Sequence, residues 1–97
     1  MSLSTHVLDA TTGRPAAGIR VELRGLASGQ TDADGRCRLV EGDLPAGDHE
    51  LTFHTGDHFA DTFYPRVTVA FTVRDPAAHH HVPLLLSPWA YTTYRGS

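Results

Sequence analysis

The sequence predicts an all-β fold, an antiparallel β-sandwich of about eight strands with one short helix. Three observations carry this. Short runs alternate apolar and polar residues with a period of two, and turn residues punctuate them at close intervals. Only one segment has helical character. The 97 residues make one domain, 1–97, with no internal repeat, low-complexity stretch or linker.

Taken in order, Thr5-His6-Val7-Leu8-Asp9 reads as a first strand and Thr12-Gly13-Arg14-Pro15 as the turn after it. Ile19, Val21 and Leu23 then alternate with Arg20, Glu22 and Arg24, which gives a strand with one wet face. Residues 25–30 leave a tight connection, and Asp32-Ala33-Asp34-Gly35 is a further turn. After Pro45-Ala46-Gly47-Asp48, Leu51 and Phe53 sit between Glu50, Thr52 and His54 in a shorter alternating run. The helix is expected over 55–63. Thr55 would cap it, Asp57 would fall in its first turn, and His58, Phe59 and Phe63 would give an apolar side before Pro65 ends it. Val67, Val69, Phe71 and Val73 alternate with Thr68, Ala70, Thr72 and Arg74, and Asp75-Pro76 closes that strand.

The last two runs depart from the one-wet-face pattern. In His79-His80-His81-Val82-Pro83-Leu84-Leu85-Leu86 three leucines are consecutive, so both faces of the strand are apolar. A sandwich strand commits one face to the core, and the other then needs a second burial partner. The run from Trp89 to Ser97 stays strand-like and aromatic, although chain ends fray unless tied down. Both features point to a subunit interface formed by these strands; a greasy outer face is the plainer alternative.

Composition narrows the chemistry. Apolar residues make up 40% and charged residues 20% of the chain, as in ordinary globular domains. A net charge of −3 argues against a general nucleic-acid binder. All eight basic side chains are arginines, so Schiff-base and pyridoxal chemistry have no lysine to use. Cys37 is the single cysteine, which excludes an intrachain disulfide and a cysteine-rich zinc site. Met-Ser-Leu-Ser-Thr-His lacks the basic start and apolar stretch of a signal peptide, and no apolar run approaches the roughly 20 residues of a membrane span. A soluble cytoplasmic protein is the expectation.

Seven histidines are many for this length. His49 and His54 read as surface or turn residues. His54 and His58 have the i, i+4 spacing that suits a metal on a helix, but His54 precedes the expected helix and no third ligand is near in sequence. Alternation sends His79 and His81 to one face of their strand and His80 to the other. Taken singly, His6, Arg36 and these histidines would pass for ordinary strand and turn residues.

Together they do not. Thr5-His6-Val7-Leu8-Asp9, Thr31-Asp32-Ala33-Asp34-Gly35-Arg36, His79-His80-His81-Val82-Pro83-Leu84-Leu85-Leu86-Ser87-Pro88 and the final Tyr94-Arg95-Gly96-Ser97 resemble, in that order, the 5-hydroxyisourate hydrolases of the transthyretin-related family. Phe63-Tyr64-Pro65-Arg66-Val67 also looks like that family's approach to its sixth strand. The resemblance spans nearly the whole chain, and its most specific element is the C-terminal tetrapeptide, which hormone-carrying transthyretins lack. Two departures stand out. The family has a longer stretch where residues 25–30 lie, and more often an aromatic where His80 stands.

The resemblance implies a transthyretin-like sandwich that adds water to a ring carbonyl of 5-hydroxyisourate and cleaves an amide-like bond, giving a ureidoimidazoline carboxylate. Such a reaction needs a base near neutral pKa and fixed positive charge where an oxyanion develops; histidine and arginine supply these. Carried over by position, His6 and His81 handle the water and its proton, with the base unassigned between them. Arg36 binds and polarises the substrate. Ser97 completes the polar set with its hydroxyl and carboxylate. Tyr94 and Arg95 contact substrate, with Arg95 and Gly96 shaping the approach of Ser97. No metal or organic cofactor is required, and the implied assembly is a homotetramer, a dimer of dimers. The alternative reading is a non-catalytic transthyretin-like carrier of a small aromatic ligand. A structural or carbohydrate-binding sandwich has only the strand pattern in its favour.

Overall fold

A computed structural model describes residues 2–96, and these form nine strands in two sheets. In chain order they are β1 (Ser2–Asp9), β2 (Arg14–Pro15), β3 (Arg20–Leu23), β4 (Ala27–Gln30), β5 (Arg36–Val40), β6 (Gly47–Phe53), β7 (Val67–Val73), β8 (His79–Leu86) and β9 (Tyr91–Thr93). The strand beyond the expected eight or so is the two-residue β2. In one sheet β1 is central, flanked by β2 and β5 on one side and by β8 and then β9 on the other. The second sheet runs β4-β3-β6-β7.

The sandwich is not wholly antiparallel. β1 and β8 pair in parallel, in unbroken register from Ser2 opposite His79 to Asp9 opposite Leu86. Parallel neighbours cannot be joined by a hairpin, so the whole second sheet lies between them in the sequence. Alternation along each strand then sorts the side chains. Leu3 and Val7 of β1 and Leu84 and Leu86 of β8 are fully buried against Val21, Leu51 and Phe53 of the second sheet. Ser4, His6 and Leu8 of β1 turn to the other face, which is half-buried. β8 bears out the reading that both its faces are apolar. Val82 and Leu84 enter the core, while Leu85 lies half-buried on the outside, opposite Leu8.

The expected helix over 55–63 is replaced by a single 3-10 turn, Thr55–Asp57. Thr55 does not cap it. Its hydroxyl is buried and donates to the Tyr64 carbonyl. Gly56 N–H ties the start of the segment to the Pro65 carbonyl at 2.9 Å, and Phe63 N–H, which a helix would turn inward, bonds instead to the Pro88 carbonyl at 2.8 Å. Phe59 N–H still closes one helical bond on the Thr55 carbonyl at 3.2 Å, but with the chain pinned at both ends the helix goes no further. The turn itself is held from outside, by the Arg20 guanidinium on Asp57 at 2.8 Å and by His58 Nε2 on Asp9 at 2.8 Å.

The connection expected over residues 25–30 is shorter than that: Gly25 and Leu26 turn, with Leu26 N–H bonded to the Leu23 carbonyl at 3.0 Å, and Ala27–Gln30 is already strand β4, hairpinned to β3. The next turn positions β5. Asp32 Oδ1 accepts from Asp34 N–H and Arg36 N–H at 2.8 and 2.9 Å, and Gly35 adopts φ +75°. Only glycine fits there. A Cβ would lie 2.4 Å from the Val7 carbonyl oxygen, in a backbone conformation that already disfavours side chains. We expect Gly35→Ala to lower unfolding stability by about 2 kcal/mol or more, read by urea denaturation. Wild-type stability would contradict the close approach.

Candidate active site

The outer face of the β1 sheet carries the polar cluster. Antiparallel register sets His6 of β1 opposite Arg36 of β5 and Ser4 opposite Arg38. Parallel register on the other side sets Ser4 opposite His81 and Ser2 opposite His79. Partners in register share a face, so Ser4, His6, Arg36, Arg38, His79 and His81 all open on one surface. The residues between them, Thr5, Cys37 and Val82, are buried on the other side.

His81 is held on three sides. Its Nδ1 lies 2.8 Å from Ser4 Oγ, and its ring stacks near that of His79 with centroids 6.3 Å apart. Gly96 bridges it from the C-terminal segment, its N–H bonded to the His81 carbonyl at 2.9 Å. A Cβ at Gly96 would come within 2.5 Å of the His81 ring, so glycine here leaves room for the imidazole. Burial, then the Arg36 charge, then His79 and His6 push the His81 pKa below its ordinary value of about 6.5, against a smaller raising effect from Ser4. His81 is therefore a neutral imidazole at neutral pH, with Nε2 left for substrate or water.

His6 is oriented differently. Its Nε2 lies 2.9 Å from the Asp34 carbonyl oxygen. A carbonyl can only accept, so Nε2 carries the hydrogen and the neutral ring keeps a bare lone pair on Nδ1. The turn that positions Arg36 thus also fixes the tautomer of His6.

The structure brings together His6, Arg36 and His81 from the expected set. Tyr94 is placed by register alone: the β8–β9 pairing of Leu84 with Thr93 continues to the His81–Gly96 bridge, which sets Tyr94 opposite Pro83, and Tyr94 also borders the cavity beside Arg95. The same register sets Arg95 opposite Val82, on the inner side, where its charge acts on His80. Arg95 and His80 line a cavity of about 320 Å³ between β7 and the C-terminal segment, with Val69, Phe71 and Val82. Ser97 lies outside the described residues.

His80 faces away from His81, as alternation requires; it is buried, and its Nδ1 has no partner among the described residues. Burial and then the Arg95 charge push its pKa down. His49, His54 and His58 are engaged elsewhere, by the Pro45 carbonyl, Glu22 and Asp9 respectively. His54 and His58 therefore point to different partners, and among the described residues no group of three or more metal-ligating side chains converges. Burial raises the Asp9 pKa, but hydrogen bonds from Thr11 and His58 outweigh it and hold the carboxyl below its usual range. Sequence reasoning missed Ser4, Arg38 and His79 as members of the cluster. Alternation around Cys37 and around His80 was the available signal, but which strands are neighbours is not written in any one strand.

Comparison with known proteins identifies the family and the fold. The model of the HIUase/Transthyretin family matches residues 3–96. A 5-hydroxyisourate hydrolase of Deinococcus radiodurans is 46% identical over 113 aligned residues, covering 98% of this chain and 95% of the relative. That alignment is longer than the chain, so the relative carries residues without a counterpart here, in keeping with the short β3–β4 hairpin. The solved 5-hydroxyisourate hydrolase of Klebsiella pneumoniae superimposes with a TM-score of 0.89 at 40% identity, covering 100% of both chains. Sea bream transthyretin in complex with thyroxine superimposes with a TM-score of 0.83 at 30% identity, covering 97% of this chain and 93% of that one.

The electrostatics of His81 are open to direct measurement. Its imidazole should titrate below about 6.5 by NMR, and Arg36→Gln should move the midpoint upward, because removing a nearby positive charge favours the imidazolium. A midpoint that Arg36→Gln leaves in place would separate the two residues.

Proposed function

Because this chain belongs to the HIUase/Transthyretin family, we propose that it hydrolyses 5-hydroxyisourate, the activity named for its bacterial relatives. It is a hydrolase of urate degradation. The observation that carries this is the convergence of His6, Arg36 and His81, two differently oriented imidazoles and a guanidinium, on one half-buried sheet face.

In this reading a water molecule sits between the two imidazoles. His81 Nε2 and His6 Nδ1 each accept one of its hydrogens, which turns an oxygen lone pair toward the ring carbonyl. His81 is the base, since its neutral form is the favoured one. As the C–O bond forms, Arg36 receives the developing oxyanion, and Arg38 adds positive charge beside it. His81 then returns its proton to the ring nitrogen as the C–N bond breaks, and the product leaves with a carboxyl group that ionises in solvent. Tyr94 flanks the substrate ring, and the Ser97 hydroxyl completes the polar set. Arg95, directed to the inner side, supports the strand that carries Tyr94 and Gly96.

A carrier function is the second reading, favoured by the likeness to thyroxine-bound transthyretin. Identity is lower there, 30% against 46% for the Deinococcus hydrolase, and a carrier has no use for two oriented imidazoles beside an arginine.

The assembly proposed is a homotetramer of single-domain subunits, a dimer of dimers. Half-buried Leu8 and Leu85 on the outer face support it, as do β7 and β9, edge strands with no further strand partner among the described residues. A cytoplasmic location is part of the same reading, supported by Cys37, a free buried thiol. No helix among the described residues is long and apolar enough to cross a membrane.

Freshly generated 5-hydroxyisourate should lose its ultraviolet absorbance much faster with the protein than without. His6→Ala, Arg36→Ala and His81→Ala should each cut turnover by about 10²-fold or more, while His49→Ala stays close to wild type. A wild-type rate equal to spontaneous decay would remove the hydrolase reading and leave the carrier. Separately, Leu85→Glu should split the tetramer into smaller species by light scattering. An unchanged mass would contradict an interface on that face.

A further inference from the structure

We propose that Ser4 and His79 form a proton relay behind His81, so that a proton taken from water is held on the exposed His79 until the leaving nitrogen needs it. The inference rests on the hydrolase reading above and assigns work to two residues that reading leaves idle.

The geometry is a chain of hydrogen-bonding groups on alternate positions of two parallel strands. Ser4 Oγ stands 2.8 Å from His81 Nδ1 and 3.3 Å from His79 Nε2, so one hydroxyl touches both rings. At the far end, His79 Nδ1 bonds to Ser2 Oγ. The parallel register produces this series, because Ser2 and Ser4 lie opposite His79 and His81. A hydroxyl donates one hydrogen and accepts another, so Ser4 can pass a proton on without ever holding a charge.

The transfers balance in both directions. In the resting state His81 carries its hydrogen on Nδ1, donated to Ser4 Oγ, and Ser4 donates its own to His79 Nε2. On attack, water gives a proton to His81 Nε2. The Nδ1 proton of His81 moves to Ser4, and the former hydroxyl proton of Ser4 moves to His79, which becomes the imidazolium with Nδ1–H donating to Ser2. On cleavage of the C–N bond the transfers reverse, and His81 Nε2 delivers its proton to the ring nitrogen. The second water proton departs with the new carboxyl group, which ionises in solvent.

The surroundings say why a relay is useful here. A proton left on His81 would sit among Arg36, Arg38 and His6, and burial and the Arg36 charge already disfavour that charged form. His79 is exposed, so water solvates the charge there. His79 is a positioning and proton-holding residue by this account and never touches substrate.

The test compares His79→Ala and Ser4→Ala with wild type in dilute, non-nucleophilic buffer, with folding checked by circular dichroism. His79→Ala should lower kcat by about 10-fold with KM unchanged, and free imidazole added to the assay should restore most of the loss. The His79→Ala/Ser4→Ala pair should lose no more than the worse single variant, as members of one relay do. Wild-type kcat in His79→Ala overturns the relay alone, as does a loss that imidazole leaves in place. A wild-type rate equal to spontaneous decay overturns the hydrolase reading and the relay with it.

Discussion

The site depends on the position of one strand. β1 is bonded in parallel to β8 and in antiparallel to β5, and it is the only strand that all the polar cluster touches. Its register is locked from the inside. Leu3 and Val7 are fully buried, and the buried Thr5 hydroxyl donates to the Val82 carbonyl at 2.6 Å. A slip of one residue would turn His6 into the core and Val7 to solvent, at a cost of several buried side chains. The hydrophobic core, which has no chemistry of its own, therefore decides where the imidazoles point.

What the sequence made legible follows the same logic. The period-two runs of β3, β6 and β7, the opposed faces of His80 and His81, and the double-apolar β8 all depend on residues near one another in the chain, and these readings agree with the structure. The parallel pairing of β1 with β8 does not, because no local signal distinguishes a parallel from an antiparallel neighbour. Ser4 and His79 were invisible as partners for that reason. The missing helix has a related cause. Thr55, Asp57 and Phe59 satisfy helix rules, and Phe59 N–H reaches the Thr55 carbonyl, but the Pro88 carbonyl takes the Phe63 N–H, and that competition is tertiary.

His80 shows the opposite case, a polar residue where alternation demands an apolar one. It sits on the core side of β8, buried, with a depressed pKa and no partner for its Nδ1 among the described residues. Its folded pKa lies below the unfolded value of about 6.5, so the native state resists protonation there. Stability from this residue is complete above that value and falls as the pH drops through it. Neighbouring His81 shifts the same way, so both faces of β8 favour neutral imidazoles for separate reasons, one structural and one tied to the site.

The hydrogen bond between Ser4 and His81 joins residues 77 positions apart, and Gly96 closes over the same imidazole from near the opposite end of the chain. During synthesis on a ribosome, β1 is made before the whole second sheet and β8 after it, so one edge of β1 stays bare until β8 arrives. No fragment released early contains both halves of the cluster. The polar cluster is therefore incomplete until β8 docks, and premature termination anywhere upstream of β8 yields a polypeptide with an unsatisfied central edge, open to capture by chaperones or proteases.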